Sequence, residues 1–180
     1  MKVIVLFKNG FEELEALAPV DVLRRAGVET IMVGMDAMDV TSSHGITIHM
    51  DQLYSDDLLN ADAVILPGGQ PGSNNLRDDD RVISLLQTFN KEHKLICAIC
   101  AAPIALNKAG LLTGKKFTCY PGCEEGINGE YQDVLVYQQD NIITARGPAA
   151  GLKFAYTILE YLGIDSSTLS EGMQYPYLYK

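Results

Sequence analysis

A cysteine falls where an apolar run gives way to small residues, in Leu95-Ile96-Cys97-Ala98-Ile99-Cys100-Ala101-Ala102-Pro103. The aliphatic run predicts a buried strand, and Pro103 suits the first turn of a helix, where a missing N–H has no intrahelical partner to lose. Cys100 then sits on the turn itself. A sulfur held between a strand's carboxyl end and a helix's amino end meets the positive end of the helix dipole and free N–H groups, so the expectation is a thiolate nucleophile. The alternative is an inert core thiol, since free Cys is among the most buried residue types. Small neighbours favour a tight elbow, as in the G-x-S-x-G turn of hydrolases, although Ala98 and Ala102 stand where glycines would.

Two other stretches could serve that sulfur. Glu12, Glu13 and Glu15 follow the Asn9-Gly10 turn. The first two read as ordinary acids of a helix's first turn. Glu15 shares helical spacing with Leu17, Ala18 and Val22, which turns it partly toward the sheet, where desolvation raises a carboxyl's pKa. A neutral carboxyl can donate to a thiolate and later carry protons. The second stretch, Leu66-Pro67-Gly68-Gly69-Gln70-Pro71-Gly72, lacks the Gly-Lys-Ser/Thr ending of a phosphate-binding loop. Gly68 would let its backbone come close to a ligand. The N–H groups of Gly69 and Ala101 could then form an oxyanion hole, the alternative being a plain turn.

The elements that must position these groups alternate along the chain. Lys2 to Phe7 is a near-continuous apolar run, the mark of a strand buried on both faces of a parallel sheet. Leu14, Leu17, Ala18, Val22 and Ala26 recur at helical spacing up to Gly27, with Pro19 expected to kink or disturb the helix. Val28 to Gly34 is a second strand, and residues 38–49 read as a small antiparallel excursion. Ala63 to Leu66 is a strand, Val82 to Phe89 a helix, and the elbow strand and a helix to about Gly110 follow. Short strands are predicted near Phe117 to Tyr120, Val134 to Tyr137 and Ile142 to Ala145, then a helix from about Pro148 to Leu162. Such alternation implies a mostly parallel sheet covered by helices on both faces, with ligands outside the strands' carboxyl ends.

Composition narrows the partners. A chain of 180 residues, 47% hydrophobic, suits one domain over its whole length. No apolar run approaches the ~20 residues that span a bilayer, and the amino terminus reads as a strand and not a leader, so a cytoplasmic protein is expected. A net charge of −9 argues against nucleic acid or an anionic membrane as partner. Four cysteines in that setting are expected as thiols.

Val5-Leu-Phe-Lys-Asn-Gly-Phe-Glu-Glu-Leu-Glu15, Pro19-Val-Asp-Val-Leu-Arg-Arg-Ala-Gly27, Leu66-Pro-Gly-Gly69, Ala98-Ile-Cys-Ala-Ala-Pro103 and Ala145-Arg-Gly-Pro148 together resemble the ThiJ/PfpI family of the DJ superfamily, in order and over nearly the whole chain. The resemblance implies a flavodoxin-like α/β sandwich of the kind shared with class I glutamine amidotransferases. It also implies a homodimer, and a reactive, oxidisable cysteine at the elbow. By motif match that cysteine is Cys100, its acid partner Glu15, and the oxyanion donors Gly69 and Ala101. Glyoxalase or deglycase chemistry on small reactive carbonyls follows from the same resemblance, with no cofactor and no metal. Oxidation-regulated sensing or chaperoning is the alternative, and peptidase activity a weaker one.

One departure bears on the last of these. Many members carry a histidine before a proline about twenty residues after the elbow, where this chain has Thr118-Cys119-Tyr120-Pro121. Tyr120, a phenol with a reference pKa of ~10, is a poor general base at neutral pH, though it can donate a hydrogen bond. Of the histidines, His93 reads as solvated and His49 as core or edge, while the resemblance places His44 near the site and a dimer interface. Cys97 and Cys100 form a C-x-x-C, but Cys97 belongs in the strand, about 10 Å of extended chain away, too far for a disulfide. Cys119 and Cys123 read as ordinary thiols, the alternatives being that they resolve an oxidised Cys100 or bind a metal with it. Arg24, Arg25 and Arg146 read as structural, and the aromatic residues 174–180 as a segment packed on a neighbouring surface.

Overall fold

The apolar run at the amino terminus becomes an inner strand of a seven-stranded sheet in the computed structural model, which describes residues 1–179. The elements, in order, are β1 (Lys2–Phe7), α1 (Glu13–Arg25), β2 (Glu29–Gly34), β3 (Asp39–Thr41), β4 (Thr47–His49), β5 (Gln52–Leu53) and β6 (Ala63–Leu66). They continue with α2 (Gly72–Arg77), α3 (Asp80–Lys91), β7 (Leu95–Ile99), α4 (Pro103–Lys108), β8 (Lys116–Phe117), β9 (Glu130–Tyr131), β10 (Val136–Gln139), β11 (Ile142–Ala145), α5 (Gly151–Tyr161) and α6 (Ser167–Gly172). Short 3-10 turns lie at Asp56–Asn60, Pro148–Ala150 and Tyr175–Tyr179.

The sheet runs β10-β11-β7-β6-β1-β2-β5. Every pairing is parallel except that of β10 with β11. Setting aside the two-residue edge strand β5, the parallel strands follow the flavodoxin order, and the chain reverses direction across the sheet between β1 and β6. That reversal leaves a crevice at the carboxyl ends of the strands. Because successive side chains alternate faces, Val3, Val5 and Phe7 of β1 join the layer under α1 and α5. Ile4 and Leu6 join the layer under α3 and α4. All five are fully buried, worth about 1.5–3 kcal/mol each.

Helix α1 corrects the predicted stripe. Leu14 is 63% exposed and Leu17 and Ala18 are half-buried, while Glu13, Glu15, Ala16, Pro19, Val20, Val22 and Leu23 face inward. The helix is rotated so that Glu15 turns further toward the sheet than Leu14, the reverse of what hydropathy alone would choose. It also runs unbroken through Pro19. Residues 38–49 form the expected hairpin, β3 against β4. The strand near Phe117 stops at that residue, the one expected from Val134 begins at Val136, and the elbow helix is only six residues long. Elements β5, β9, α2 and α6 are too short to leave a periodic signature. Of the closing segment, Tyr175 stacks near Tyr156 with ring centroids 4.4 Å apart, while Lys180 lies outside the described residues.

Candidate functional site

Three loops meet at the crevice: β1 to α1, β6 to α2, and β7 to α4. Glycines let the first two interlock. The N–H of Glu12 donates to Gly68 O at 2.9 Å and that of Gly72 to Gly10 O at 3.1 Å. A Cβ on Gly69, whose φ is +90°, would lie 2.5 Å from Glu12 N. No other residue type tolerates both that angle and that approach.

Cys100 occupies the third loop in the left-handed region, φ +63°. For a residue with a Cβ this costs about 1–3 kcal/mol, which the surroundings must impose. Its N–H donates to Ala145 O of β11 at 2.9 Å and its carbonyl accepts from Tyr120 N at 2.9 Å, so the elbow is clamped between two neighbouring segments. The half-buried sulfur faces the backbone N–H groups of Ala101 and Gly69, both of which favour its ionised form. Five of the residues singled out in the sequence, Glu15, Gly68, Gly69, Cys100 and Ala101, therefore share one cleft.

Glu15 is fully buried. Its Oε2 accepts from Gly68 N at 2.9 Å. Its Oε1 has no hydrogen-bond partner among the described residues, yet Glu15 and Cys100 lie close enough to shift each other's ionisation. Gly68 makes room for that proximity: a Cβ there would land on Glu15 Oε2 and 2.6 Å from Cys100 Cβ. Burial raises the Glu15 carboxyl from 4.5 to about 7, against the pull of Cys100 and the Gly68 N–H.

Cys100 does not behave as the elbow alone predicts. Burial pushes its thiol well above the ordinary range, the neighbouring Glu15 charge adds to this, and the two backbone N–H groups recover only part. Burial and the Glu15 carboxylate therefore outweigh whatever the amino end of the six-residue α4, which begins three residues after Cys100, offers the sulfur. Glu15 and Cys100 are thus a coupled pair that gives up its first proton near neutrality.

Tyr120 borders the cleft. It is 51% exposed, and a Cβ on the adjacent Gly147 would lie 3.3 Å from its ring and 4.0 Å from Glu15 Oε1. His44 does not join the pair. Its Nδ1 meets Glu13 Oε2 at 2.8 Å, and Ser42 Oγ donates to the other Glu13 oxygen. Burial pushes Glu13 up, but these two hydrogen bonds win and hold it at about 2, while Glu13 raises His44. This Ser42–Glu13–His44 network was invisible in the sequence, because only the β3–β4 hairpin brings its members together. Glu12, Glu13 and His44 could each offer a metal ligand atom, all within 4.8 Å. Both oxygens of Glu13 are already engaged within the protein.

The other predicted roles fall outside the cleft. Cys97 is sealed in β7. His93 is exposed, and His49 pairs with Asp39 at 2.7 Å on the exposed hairpin. Arg24 pairs with Asp51, Arg25 with Asp21, and Arg146 with Asp133 and the Tyr131 hydroxyl.

The family model of the DJ-1/PfpI family matches residues 1–161. The chain is 35% identical to the Parkinson disease protein 7 homolog of Danio rerio, over 89% of each chain. It is 32% identical to deglycase PH1704 of Pyrococcus horikoshii, over 83% of this chain and 92% of that one. The crystal structure of Drosophila melanogaster DJ-1beta superposes with a TM-score of 0.90 at 33% identity, covering 96% of this chain and 97% of the other. The fold and cleft define a flavodoxin-like α/β protein with a cysteine elbow. This chain belongs to the DJ-1/PfpI family.

Proposed function

We propose that the protein converts small 2-oxoaldehydes to 2-hydroxy acids through Cys100, without a cofactor. The observation that carries this is the pairing of a half-exposed elbow sulfur, facing two backbone N–H groups, with a buried carboxyl whose Oε1 is unpartnered. With the shared proton on Glu15, its charge no longer opposes a thiolate and the carboxyl becomes a donor to it. The thiolate adds to the aldehyde carbon, and the N–H groups of Gly69 and Ala101 stabilise the oxyanion. Glu15 gives its proton to that oxyanion and, now a carboxylate, moves the proton from that carbon to its neighbour, the bonding electrons shifting through an enediol to leave a thioester. Water breaks the C–S bond, releasing the hydroxy acid and the thiol. The relative named as a deglycase supports chemistry at a reactive carbonyl.

Purified protein given methylglyoxal is expected to form lactate, with a rate that rises through about pH 7 as the pair loses its first proton. Cys100→Ser should abolish turnover. No lactate above the Cys100→Ser background would overturn the reading.

A second reading, a redox sensor, has one observation of its own. The Glu15 carboxyl lies beside Cys100, so an oxygen added to the sulfur would give it a further hydrogen-bond partner. Stoichiometric peroxide oxidation of Cys100 without turnover would favour it. The acidic chain has small-molecule partners in either reading and no nucleic acid or membrane surface. Among the described residues no helix is long and apolar enough to cross a membrane. The same proposal includes a homodimer: Leu17, Val20, Met32, Ile46 and Ile48, together with the charged Asp21, Arg24 and Arg25, line a groove that a second copy would cover.

A further inference from the structure

Two thiols flank the turn that carries Tyr120, and the carbonyl chemistry uses neither. Tyr120 to Cys123 is a β-turn closed by the Cys123 N–H on Tyr120 O at 2.9 Å. Pro121 takes its first corner and Gly122, φ +93°, its second, the type II pattern. The Cys119 thiol donates to the same carbonyl oxygen at 3.4 Å. The sulfur of one cysteine and the backbone of the other are therefore gathered on one atom. Cys119 is fully buried and Cys123 half-buried. Burial and then the Cys123 charge push Cys119 up to about 12, with Glu124 adding and Arg146 opposing. The two sulfurs are thus electrostatic neighbours, as well as neighbours in the turn. Glu124 Oε2 lies 4.0 Å from Cys119 Sγ, and the charges of both Glu124 and Glu15 reach Cys123.

We propose that Cys119 and Cys123 are a redox pair that closes an intraloop disulfide across Tyr120-Pro121-Gly122 when a hydroperoxide oxidises the more open Cys123. In the first step the Cys123 sulfur attacks a peroxide oxygen. An S–O bond forms as the O–O bond breaks, and the leaving oxygen departs as alcohol or water with the thiol proton. In the second, the Cys119 sulfur attacks the Cys123 sulfur. The S–S bond forms as the S–O bond breaks, and the hydroxide leaves as water with the Cys119 proton. The two thiols lose two electrons and the peroxide accepts both. A disulfide needs a Cα separation of about 4.4–6.8 Å, and the turn that seats the Cys123 N–H on Tyr120 O folds the two cysteines toward each other. Closure withdraws the Cys119 donor from Tyr120 O. Because Tyr120 N is bonded to Cys100 O, the change is felt at the elbow.

The pair can be tested without the carbonyl reading, in Cys100→Ser as well as in the unaltered protein. Trypsin releases residues 117–146 as one peptide holding Cys119 and Cys123, separate from residues 95–108, which hold Cys97 and Cys100. After hydrogen peroxide and iodoacetamide, the 117–146 peptide is expected to be lighter by two hydrogens and free of alkyl groups in both proteins. It should take up two alkyl groups once a dithiol reductant precedes the iodoacetamide. Full alkylation of both cysteines after peroxide, or oxygen atoms added to Cys123 with Cys119 still alkylated, would overturn the pair. So would a crosslink between the two peptides in the unaltered protein, which would make Cys123 the partner of Cys100.

Discussion

Glu15→Gln should leave the protein inactive yet more stable, and the gain should appear only as pH rises. A carboxyl whose folded value lies at about 7 against 4.5 unfolded binds its proton more tightly in the native state. Its contribution is fully present below pH 4.5 and is lost as pH climbs through 7. Integrated over that span the loss is about 3 kcal/mol. Glutamine stands for the neutral acid at every pH: its carbonyl can accept from Gly68 N, and its amide can face Cys100. At pH 5 the two proteins should differ by less than about 1 kcal/mol, the scale of one net hydrogen bond. At pH 8.5 the variant should be ahead by about 3 kcal/mol, or about 1.5 M in urea midpoint for a slope of ~2 kcal/mol/M. Comparing the two proteins at each pH cancels every titration that is not coupled to Glu15 as Cys100 is, including that of Glu13, whose lowered value removes stability in the opposite direction as pH falls. A buried charge kept at a cost to stability is what a functional group looks like. Parallel stability curves from pH 5 to 8.5, or a variant less stable at the alkaline end, would refute the assignment of Glu15 as a buried, proton-holding acid.

Gly68→Ala should cut alkylation and turnover at Cys100 by at least tenfold, because the new methyl lands between Glu15 Oε2 and Cys100 Cβ; unchanged iodoacetamide kinetics on the 95–108 peptide would contradict this. The His44 ring, raised by its hydrogen bond to Glu13, should titrate above 6.5 by NMR and return to the ordinary value in Glu13→Gln. Stability from that pairing is present below pH 6.5 and lost as pH rises through the His44 value, so a His44 insensitive to Glu13→Gln would dismiss the network. Asp79 caps α3 and bridges Lys8 at 2.9 Å and Arg81 at 2.6 Å. Asp79→Ala should cost about 3 kcal/mol in chemical denaturation, and a loss under about 1 kcal/mol would mean the network is only a surface feature.

How much of this was legible in the sequence follows from the kind of signal each part leaves. The sheet was legible because a strand buried on both faces must be apolar at every position, as Lys2–Phe7 nearly is. The elbow was legible because a sharp turn needs small residues beside it. What could not be read is whatever depends on two segments at once. Rotation of α1 is one case: hydropathy favours burying Leu14, but the space beside Cys100 is open only because Gly68 has no side chain, and Glu15 is the residue that fills it. The thiol's ionisation is another, since a local rule about helix ends gives way to burial and to the charge of Glu15, which comes from a different segment. The Glu13–His44 contact needs the β3–β4 hairpin folded back onto α1. Those failures converge on one place. A non-glycine residue at positive φ and a fully buried carboxyl with an unpartnered oxygen each carry a cost; His93, Asp140 and Gln174 share the first and Ser73 Oγ the last, but only in this cleft do they occur together. A sequence selected for stability alone would remove every one of them with a glycine at 100 and an apolar residue at 15, so their coincidence at the end of β7 is evidence that this cleft has work to do.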